Sequence, residues 1–349
     1  MRAITLLPGT PGSVALEDVP EPVPAAGELL VGAVALGICG TDAEIVGGDY
    51  GEAPPGRERL VLGHESLGRV LEAPPGAGFA AGDLVVGIVR RPDPVPCPCC
   101  AAGEWDFCRN GQYTERGIKA LDGYGSERFA LEAAFAVPVD PALGRLGVLL
   151  EPTSVVAKAW DQIDRISARA CHVPGRVLVT GAGPIGLLAA LLGVQRGLEV
   201  HVLDVVGTGP KPGLVRDLGA TYHVGSVRDV EPRPDIIVEA TGVGAVVLEA
   251  MGHTAAGGIT CLTGVSAAGQ AVEIDAQDFN RRIVLENDLV FGSVNANRDH
   301  YEQGAGALAR ADQEWLERLI SRRVPLERWA EALERRPDDV KVVVEFAAL

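Results

Sequence analysis

Val177-Leu178-Val179 leads through Gly181-Ala182-Gly183-Pro184-Ile185-Gly186 into the apolar run Leu187–Val194, and then into Glu199-Val200-His201-Val202-Leu203-Asp204. This order predicts strand, glycine turn, helix, strand, the repeating unit of a parallel α/β sheet. The six-residue loop fits G-x-G-x-x-G in the context the dinucleotide fingerprint requires, after a strand and opening a helix. Gly181 permits the tight turn, Gly183 lets the backbone approach a pyrophosphate, and Gly186 allows the helix to pack on the strand. Pro184 and Ile185 begin the helix, whose free N–H groups and dipole favour an anion. Asp204 follows Gly186 by 18 residues, placed to accept ribose hydroxyls and repel a 2′-phosphate, which favours NAD. Lys211 lies in the loop beyond, a base able to admit NADP.

The alternation continues downstream with a helix through Leu214–Leu218, a strand at Asp235–Glu239, a helix through Val246–Met251 and a strand at Gly258–Thr263. Thr263-Gly264-Val265 ends that strand, so Thr263 and Val265 are expected near the nicotinamide, because ligands bind at the carboxyl ends of such strands. Before residue 140 the pattern differs: short apolar segments at Glu28–Leu36, Leu67–Leu71, Asp83–Val89 and Glu127–Val137 are cut by Pro and Gly, which predicts a strand-rich domain. The last stretch reads as helices at Gln313–Ser321 and Leu326–Leu333 and a closing strand at Val340–Phe346.

With 349 residues, about two domains are expected. A formal charge of −16 opposes binding to nucleic acid phosphates or anionic lipid, leaving small molecules as the expected partners. Met1–Pro8 lacks the apolar core of a secretory signal, so a cytoplasmic location is expected, and no apolar stretch approaches the roughly 20 residues that span a bilayer. Seven cysteines, four of them between Cys97 and Cys108, read in a reducing compartment as metal ligands more than as disulfides.

Cys39-Gly40-Thr41-Asp42, followed by Gly63-His64-Glu65, offers a thiolate, an imidazole and carboxylates in a glycine-rich setting. Zinc accepts these ligands together, and a catalytic zinc keeps one position open. Taken singly, a buried Cys or a lone His is more often structural.

Together with the cysteine lobe ending at Cys108, Glu115-Arg116-Gly117-Ile118, Glu151-Pro152, the glycine loop and Gly292-Ser293-Val294-Asn295, these residues resemble the zinc-containing medium-chain dehydrogenases, and within them most the glucose (aldose) dehydrogenase branch. The resemblance covers essentially the whole chain. It implies a GroES-like β-barrel catalytic domain at 1–155, completed by 291–349, and a Rossmann dinucleotide-binding domain at 156–290. It further implies Cys39 and His64 as catalytic zinc ligands with carboxylate from Glu65 and Glu151, the assignment between the two glutamates being open. Thr41 is expected to take the substrate proton and pass it toward the cofactor ribose, Glu115 to contact a sugar, and Asn295 and Lys341 to lie near nicotinamide and substrate. A homo-oligomer, dimer or tetramer, is the family expectation.

Two positions depart from the family pattern. Its structural-zinc lobe follows C-x2-C-x2-C-x7-C, and here Cys97, Cys100 and Cys108 fill three positions while Pro94 stands at the first; Cys99 and Asp93 are the alternative fourth donors. Glu286 stands where some glucose dehydrogenases carry a sugar-contacting His, so it is a candidate substrate residue that alters the charge of the pocket. The implied activity is hydride transfer from the C1 hydroxyl of an aldose such as glucose to NAD(P)+. The rival readings are a zinc-dependent polyol or secondary-alcohol dehydrogenase and, further off, a non-catalytic nucleotide-binding sensor.

Overall fold

The computed structural model describes residues 1–266 and 271–346. The chain divides into two compact units, one formed by Met1–Ser154 with Asn295–Leu349, the other by Val155–Val294.

In the first unit the principal strands are β1 (Glu28–Ile38), β2 (Glu65–Glu72), β3 (Leu84–Gly87), β4 (Arg128–Glu132) and β5 (Ala136–Pro138). They are joined, after the excursion into the second unit, by β12 (Ile320–Pro325) and β13 (Lys341–Glu345). The sheet runs in the order β5-β3-β2-β1-β13-β12, and β4 also pairs with β1. β1 is central because its residues are buried along most of its length, Leu29, Val31 and Leu36 completely, and it is flanked antiparallel by both β2 and β13. Its register with β13 sets Val342 opposite Ile38, which brings the last strand of the chain beside Cys39. α1 (Gly40–Gly47) follows β1 directly, and α2 (Leu150–Ser167) begins at the end of the N-terminal segment.

The second unit contains β6 (Arg176–Thr180), α3 (Pro184–Gln195), β7 (Glu199–Asp204), α4 (Pro210–Asp217), β8 (Thr221–Val224), β9 (Ile236–Glu239), α5 (Gly244–Met251), β10 (Ile259–Leu262), α6 (Ala276–Glu286) and β11 (Leu289–Gly292). All its strand pairs are parallel, in the order β8-β7-β6-β9-β10-β11. This is the doubly wound arrangement anticipated from the alternating pattern, with strand order reversing between β6 and β9. The inner strands are apolar on consecutive residues, Val177–Val179 and Ile236–Val238, as expected of strands covered on both faces. α3 is apolar all round and Leu187–Leu192 are buried, which marks an interior helix.

The C-terminal stretch differs from its sequence reading. The helix there ends at Leu319, and Ile320–Pro325 is a strand parallel to β13; Leu326–Leu333 forms a 3-10 helix. Pairing with a strand from further along the chain overrides the helical pattern at Ile320 and Ser321.

Candidate active site

Cys39 follows β1 directly and caps α1. Its sulfur accepts the N–H of Asp42, and the Asp42 carboxylate reciprocally accepts the N–H of Cys39 at 2.9 Å. The cap fixes Cys39 at the sheet edge, where β2 delivers His64 and Glu65; Cys39 Sγ lies 3.1 Å from His64 Nε2. Ligand atoms of Cys39, His64 and Glu65 all fall within 4.8 Å of one another, His64 and Glu65 being buried. The second oxygen of Asp42 faces His64 Nδ1 at 3.4 Å, so one wholly buried carboxylate secures both the thiol's backbone and the imidazole's far side. Carboxylates commonly orient metal-binding histidines in this way, fixing which ring nitrogen is left to bind.

Behind this trio, Lys341 projects from β13, 1% exposed, paired with Glu65 and donating to the Ile38 carbonyl at 3.1 Å. Burial opposes its charge, but the Glu65 carboxylate and the Cys39 sulfur hold it above the ordinary lysine value. Burial likewise opposes charge on His64, yet Cys39 and Asp42 outweigh it and raise the imidazole well above its usual range. Burial pushes Glu151, at the start of α2, up to about 7, with Glu65 adding to the rise while His64 and Lys341 oppose it. Glu151 is thus within electrostatic reach of the cluster without joining the three convergent donors.

A divalent zinc fits these residues. Cys39, His64 and Glu65 offer ligand atoms within 4.8 Å of one another, Asp42 backs the imidazole from its Nδ1 side, and the cluster draws a proton onto His64. A cation bound between sulfur, imidazole and carboxylate would take that proton's place.

In the second unit the glycine loop has the shape its residues foretell. Gly181 sits at φ +88°, a left-handed conformation that strains any residue with a Cβ. A Cβ at Gly186 would collide with the Gly181 carbonyl, whereas one at Gly183 would meet nothing within 4 Å. The open face at Gly183 lies over the N-terminus of α3, where Pro184 occupies the first turn and no side chain caps the free N–H groups. That cradle fits a dinucleotide pyrophosphate. Asp204 ends β7 and accepts from Ala182 N–H at 2.7 Å and Val206 N–H at 3.1 Å, while Lys211 Nζ stands 3.0 Å from it. Burial works against the Asp204 charge, but these contacts, Ala182 foremost, hold its pKa below the usual value.

Known families match both units. The model for the alcohol dehydrogenase GroES-like domain matches residues 25–141, and that for the glucose dehydrogenase C-terminus matches residues 144–346. A glucose 1-dehydrogenase of Methanocella arvoryzae is 40% identical over 359 residues, spanning 100% of both chains. Glucose 1-dehydrogenase 2 of Vulcanisaeta moutnovskia is 39% identical over 357 residues, 99% of each. Among solved structures, Haloferax mediterranei glucose dehydrogenase in complex with NADP, Zn and gluconolactone superposes with a TM-score of 0.92 at 31% identity, covering 100% of both chains. The chain belongs to the glucose dehydrogenase family.

As a member of that zinc-dependent NAD(P) oxidoreductase family, this dehydrogenase brings together some of the residues singled out in its sequence and separates others. Glu115 and Asn295 meet: Asn295 Nδ2 donates to Glu115 Oε1 at 2.7 Å, with Asn295 in the left-handed region at φ +63°. Glu115 is buried, and Arg90 grips the same oxygen through Nε and Nη2 at 3.0 Å while its guanidinium lies over the Tyr113 ring at 3.8 Å. Arg90 escaped the sequence reading, since nothing local ties it to Glu115; antiparallel pairing of Arg90 with Glu115 in two short strands does so.

Lys341, expected near nicotinamide and substrate, is set by the β13 register with its ammonium on Glu65 and the Ile38 carbonyl, beside the donor set. Glu286 ends α6 in the second unit, where its carboxylate faces Arg233 at 3.7 Å and Arg282 at 3.8 Å, so the charge assigned to substrate is already engaged by two guanidinium groups. Thr263 donates its hydroxyl to the Glu239 carbonyl at 2.7 Å, and Val265 is largely exposed just past β10. Thr41 occupies the first turn of α1, partly buried.

In the cysteine lobe Cys97, Cys100 and Cys108 converge, their sulfurs within 4.8 Å of one another. Arg109 and Cys100 N–H groups donate to Cys97, drawing its thiol down to about 6, whereas burial pushes Cys100 up to about 11. Cys99 stands outside the trio. Asp93 is buried beside it, its backbone N–H directed at the Cys100 sulfur and one carboxylate oxygen without a partner.

Proposed function

We propose that this dehydrogenase oxidises the C1 hydroxyl of an aldose such as glucose to the lactone, the hydride passing to NAD(P)+ and one proton to solvent. The convergence of Cys39, His64 and Glu65 in front of Asp42 carries the reading, because it supplies a metal-binding donor set in a chain that also bears a dinucleotide cradle. The gluconolactone held by the Haloferax enzyme is the compound that C1 oxidation of glucose yields, and this supports an aldose as substrate.

Zinc, when bound, polarises the substrate hydroxyl, and the nicotinamide, when bound, accepts the hydride. Cys39 and His64 hold the metal, with Glu65 or Glu151 contributing carboxylate. Asp42 keeps the imidazole turned so that Nε2 faces the donor set. Thr41, two residues past Cys39, receives the proton that leaves the substrate hydroxyl. Glu115 and Asn295, fixed by Arg90, present an acceptor and a carboxamide to sugar hydroxyls. The segment 1–155 with 291–349 acts as the catalytic domain and 156–290 as the cofactor domain. Cys97, Cys100 and Cys108 hold a second, structural zinc with Asp93 as the oxygen donor.

Asp204 favours NAD on charge, and Lys211 blunts that preference, so both cofactors are accepted. The protein works in the cytoplasm as a homodimer or a higher homo-oligomer; no helix among the described residues is long and apolar enough to cross a membrane. Among the described residues β11 pairs with β10 alone, and Val284, Leu285 and Val294 nearby in sequence are exposed, features that suit pairing of this edge with a second copy.

Metal analysis of purified protein, coupled to NAD+ and NADP+ reduction across aldoses and polyols, tests the proposal. Bound zinc with turnover of glucose or another aldose is expected. Turnover of polyols or secondary alcohols alone would replace the aldose reading, and no reduction of either cofactor would overturn it altogether.

A further inference from the structure

Glu239 is an acid with 0% exposure at the carboxyl end of β9, and it belongs to none of the groups assigned above. A buried carboxylate is tolerated when donors surround it, and here they come from the ends of two neighbouring strands. Oε1 accepts the Thr180 hydroxyl at 3.2 Å, the Thr241 N–H at 2.8 Å and the Thr241 hydroxyl; Oε2 accepts the Gly242 N–H at 3.2 Å. The Glu239 carbonyl accepts the N–H groups of Thr263 at 2.8 Å and Gly264 at 3.0 Å.

Thr180 ends β6, Glu239 ends β9 and Thr263 follows β10, so one residue ties the carboxyl ends of three neighbouring strands. β6 and β9 are the pair between which the strand order reverses, and in open parallel sheets the crevice at that point receives the ligand. Thr180 immediately precedes the glycine loop. A Cβ on Gly181 would lie 3.0 Å from Thr241 Cγ2, so the methyl group of Thr241, whose hydroxyl Glu239 holds, is the wall on which the loop's first turn rests. The same carboxylate occupies the N–H groups of Thr241 and Gly242, whereas no side chain caps the α3 N-terminus.

We propose that Glu239 is a positioning residue for the dinucleotide, a buried carboxylate brace that sets the glycine loop against residues 240–242 and so aims the α3 N-terminus at the pyrophosphate. The proposal rests on the dinucleotide-binding reading of this unit and extends it to a residue outside the fingerprint. In Glu239→Gln the amide oxygen can satisfy the donors at the Thr180 and Thr241 side, but the amide NH2 then opposes the Gly242 N–H. Buried donors left facing each other in this way are costly.

The test is NADH and NADPH binding to zinc-loaded protein, followed by cofactor fluorescence, with steady-state kinetics on the same samples. Glu239→Gln is expected to weaken cofactor binding by about tenfold and to raise the cofactor KM in step. Sugar KM, kcat at saturating cofactor and zinc content stay near wild type. Thr180→Val and Thr241→Val each remove one hydroxyl donor while keeping side-chain volume, and each is expected to weaken cofactor binding less than Glu239→Gln does. The double variant Glu239→Gln/Thr241→Val is expected to be no worse than Glu239→Gln alone, since both act through one bond network.

Unchanged cofactor affinity in Glu239→Gln overturns the proposal, and so does an equal loss in sugar KM and kcat, which would mark a general structural role. Should Glu239→Gln fail to fold, unchanged cofactor affinity in both threonine variants overturns it equally. Failure of the wild-type protein to bind either cofactor would instead overturn the dinucleotide reading itself.

Discussion

Asp42 touches both halves of the donor set: one carboxylate oxygen accepts the Cys39 N–H at 2.9 Å and the other faces His64 Nδ1 at 3.4 Å. Cys39 and His64 come from different strands, so this one side chain sets their mutual geometry. Asp42→Ala is expected to lower zinc affinity by roughly 10- to 100-fold, the usual range for losing a partner of a ligand histidine. Chelator competition followed by metal analysis measures it. NAD(P)H binding is expected to persist, and zinc affinity equal to wild type would remove Asp42 from the metal site.

Lys341 and Glu65 form an almost fully buried ion pair. Breaking it from one side leaves an uncompensated carboxylate, so Lys341→Met should destabilise metal-free protein by about 3–5 kcal/mol. Removing both charges with Lys341→Met/Glu65→Gln should recover much of that loss. Denaturant unfolding decides: if the double variant is as unstable as the single one, the charge argument fails.

Asn295→Ala is expected to raise the KM for sugar several-fold while leaving NAD(P)H affinity within about twofold, because its amide is engaged with Glu115. A rise in cofactor KM alone would move Asn295 to the nicotinamide side, where the sequence had also placed it.

Lys211 neutralises Asp204 at 3.0 Å. Lys211→Ala should therefore shift the ratio of kcat/KM toward NAD+ over NADP+ by about tenfold, since the bare carboxylate then faces a 2′-phosphate. A ratio that does not move would show that another group reads the ribose.

Acid sensitivity has an identifiable contributor in Glu132. Burial alone would raise its pKa, but the Arg91 guanidinium, bonded to it at 2.7 and 3.1 Å, outweighs that and holds it at about 2. A depressed carboxylate adds stability above its unfolded value of about 4.3, and that stability is lost as pH falls from there through about 2. Glu132→Gln should accordingly be less stable than wild type at pH 7 and lose less stability than wild type on going from pH 5 to pH 2. Parallel losses in the two proteins would dismiss the pair as a source of acid lability.

The parallel unit was the more legible part of the sequence, and the reason is local. Its inner strands and α3 are continuous apolar runs, and Gly181 and Gly186 are demanded by backbone geometry. Cys39, His64 and Glu65 were legible through ligand chemistry. Residues whose role depends on pairing between distant segments were not. Asp42 stood in the quoted motif, but its orientation toward His64 emerges only when β2 lies beside β1. The partner of Lys341, Glu65, follows from the register of Val342 against Ile38, which no local pattern announces. Ile320 and Ser321 carry a helical pattern that is overridden where β13 pairs with Ile320 and Arg322 on either side of Ser321. Glu286 was judged by its distance along the chain from Asn295, whereas α6 seats it between Arg233 and Arg282.

The route of the chain through the first unit bears on when the site can exist. Met1–Ser154 carries Cys39, His64, Glu65 and Glu151, but the counter-ion to Glu65 arrives on β13, after the whole of the second unit. A nascent chain therefore presents thiol, imidazole and carboxylates before the lysine that balances them and before the strand that covers them. Emergence of β13 sets the moment of assembly: the second unit, formed by one continuous segment, is able to fold while the first still waits for that strand. Loss of β13 would then leave the dinucleotide cradle intact and the donor set unbalanced, a protein that binds cofactor and turns nothing over.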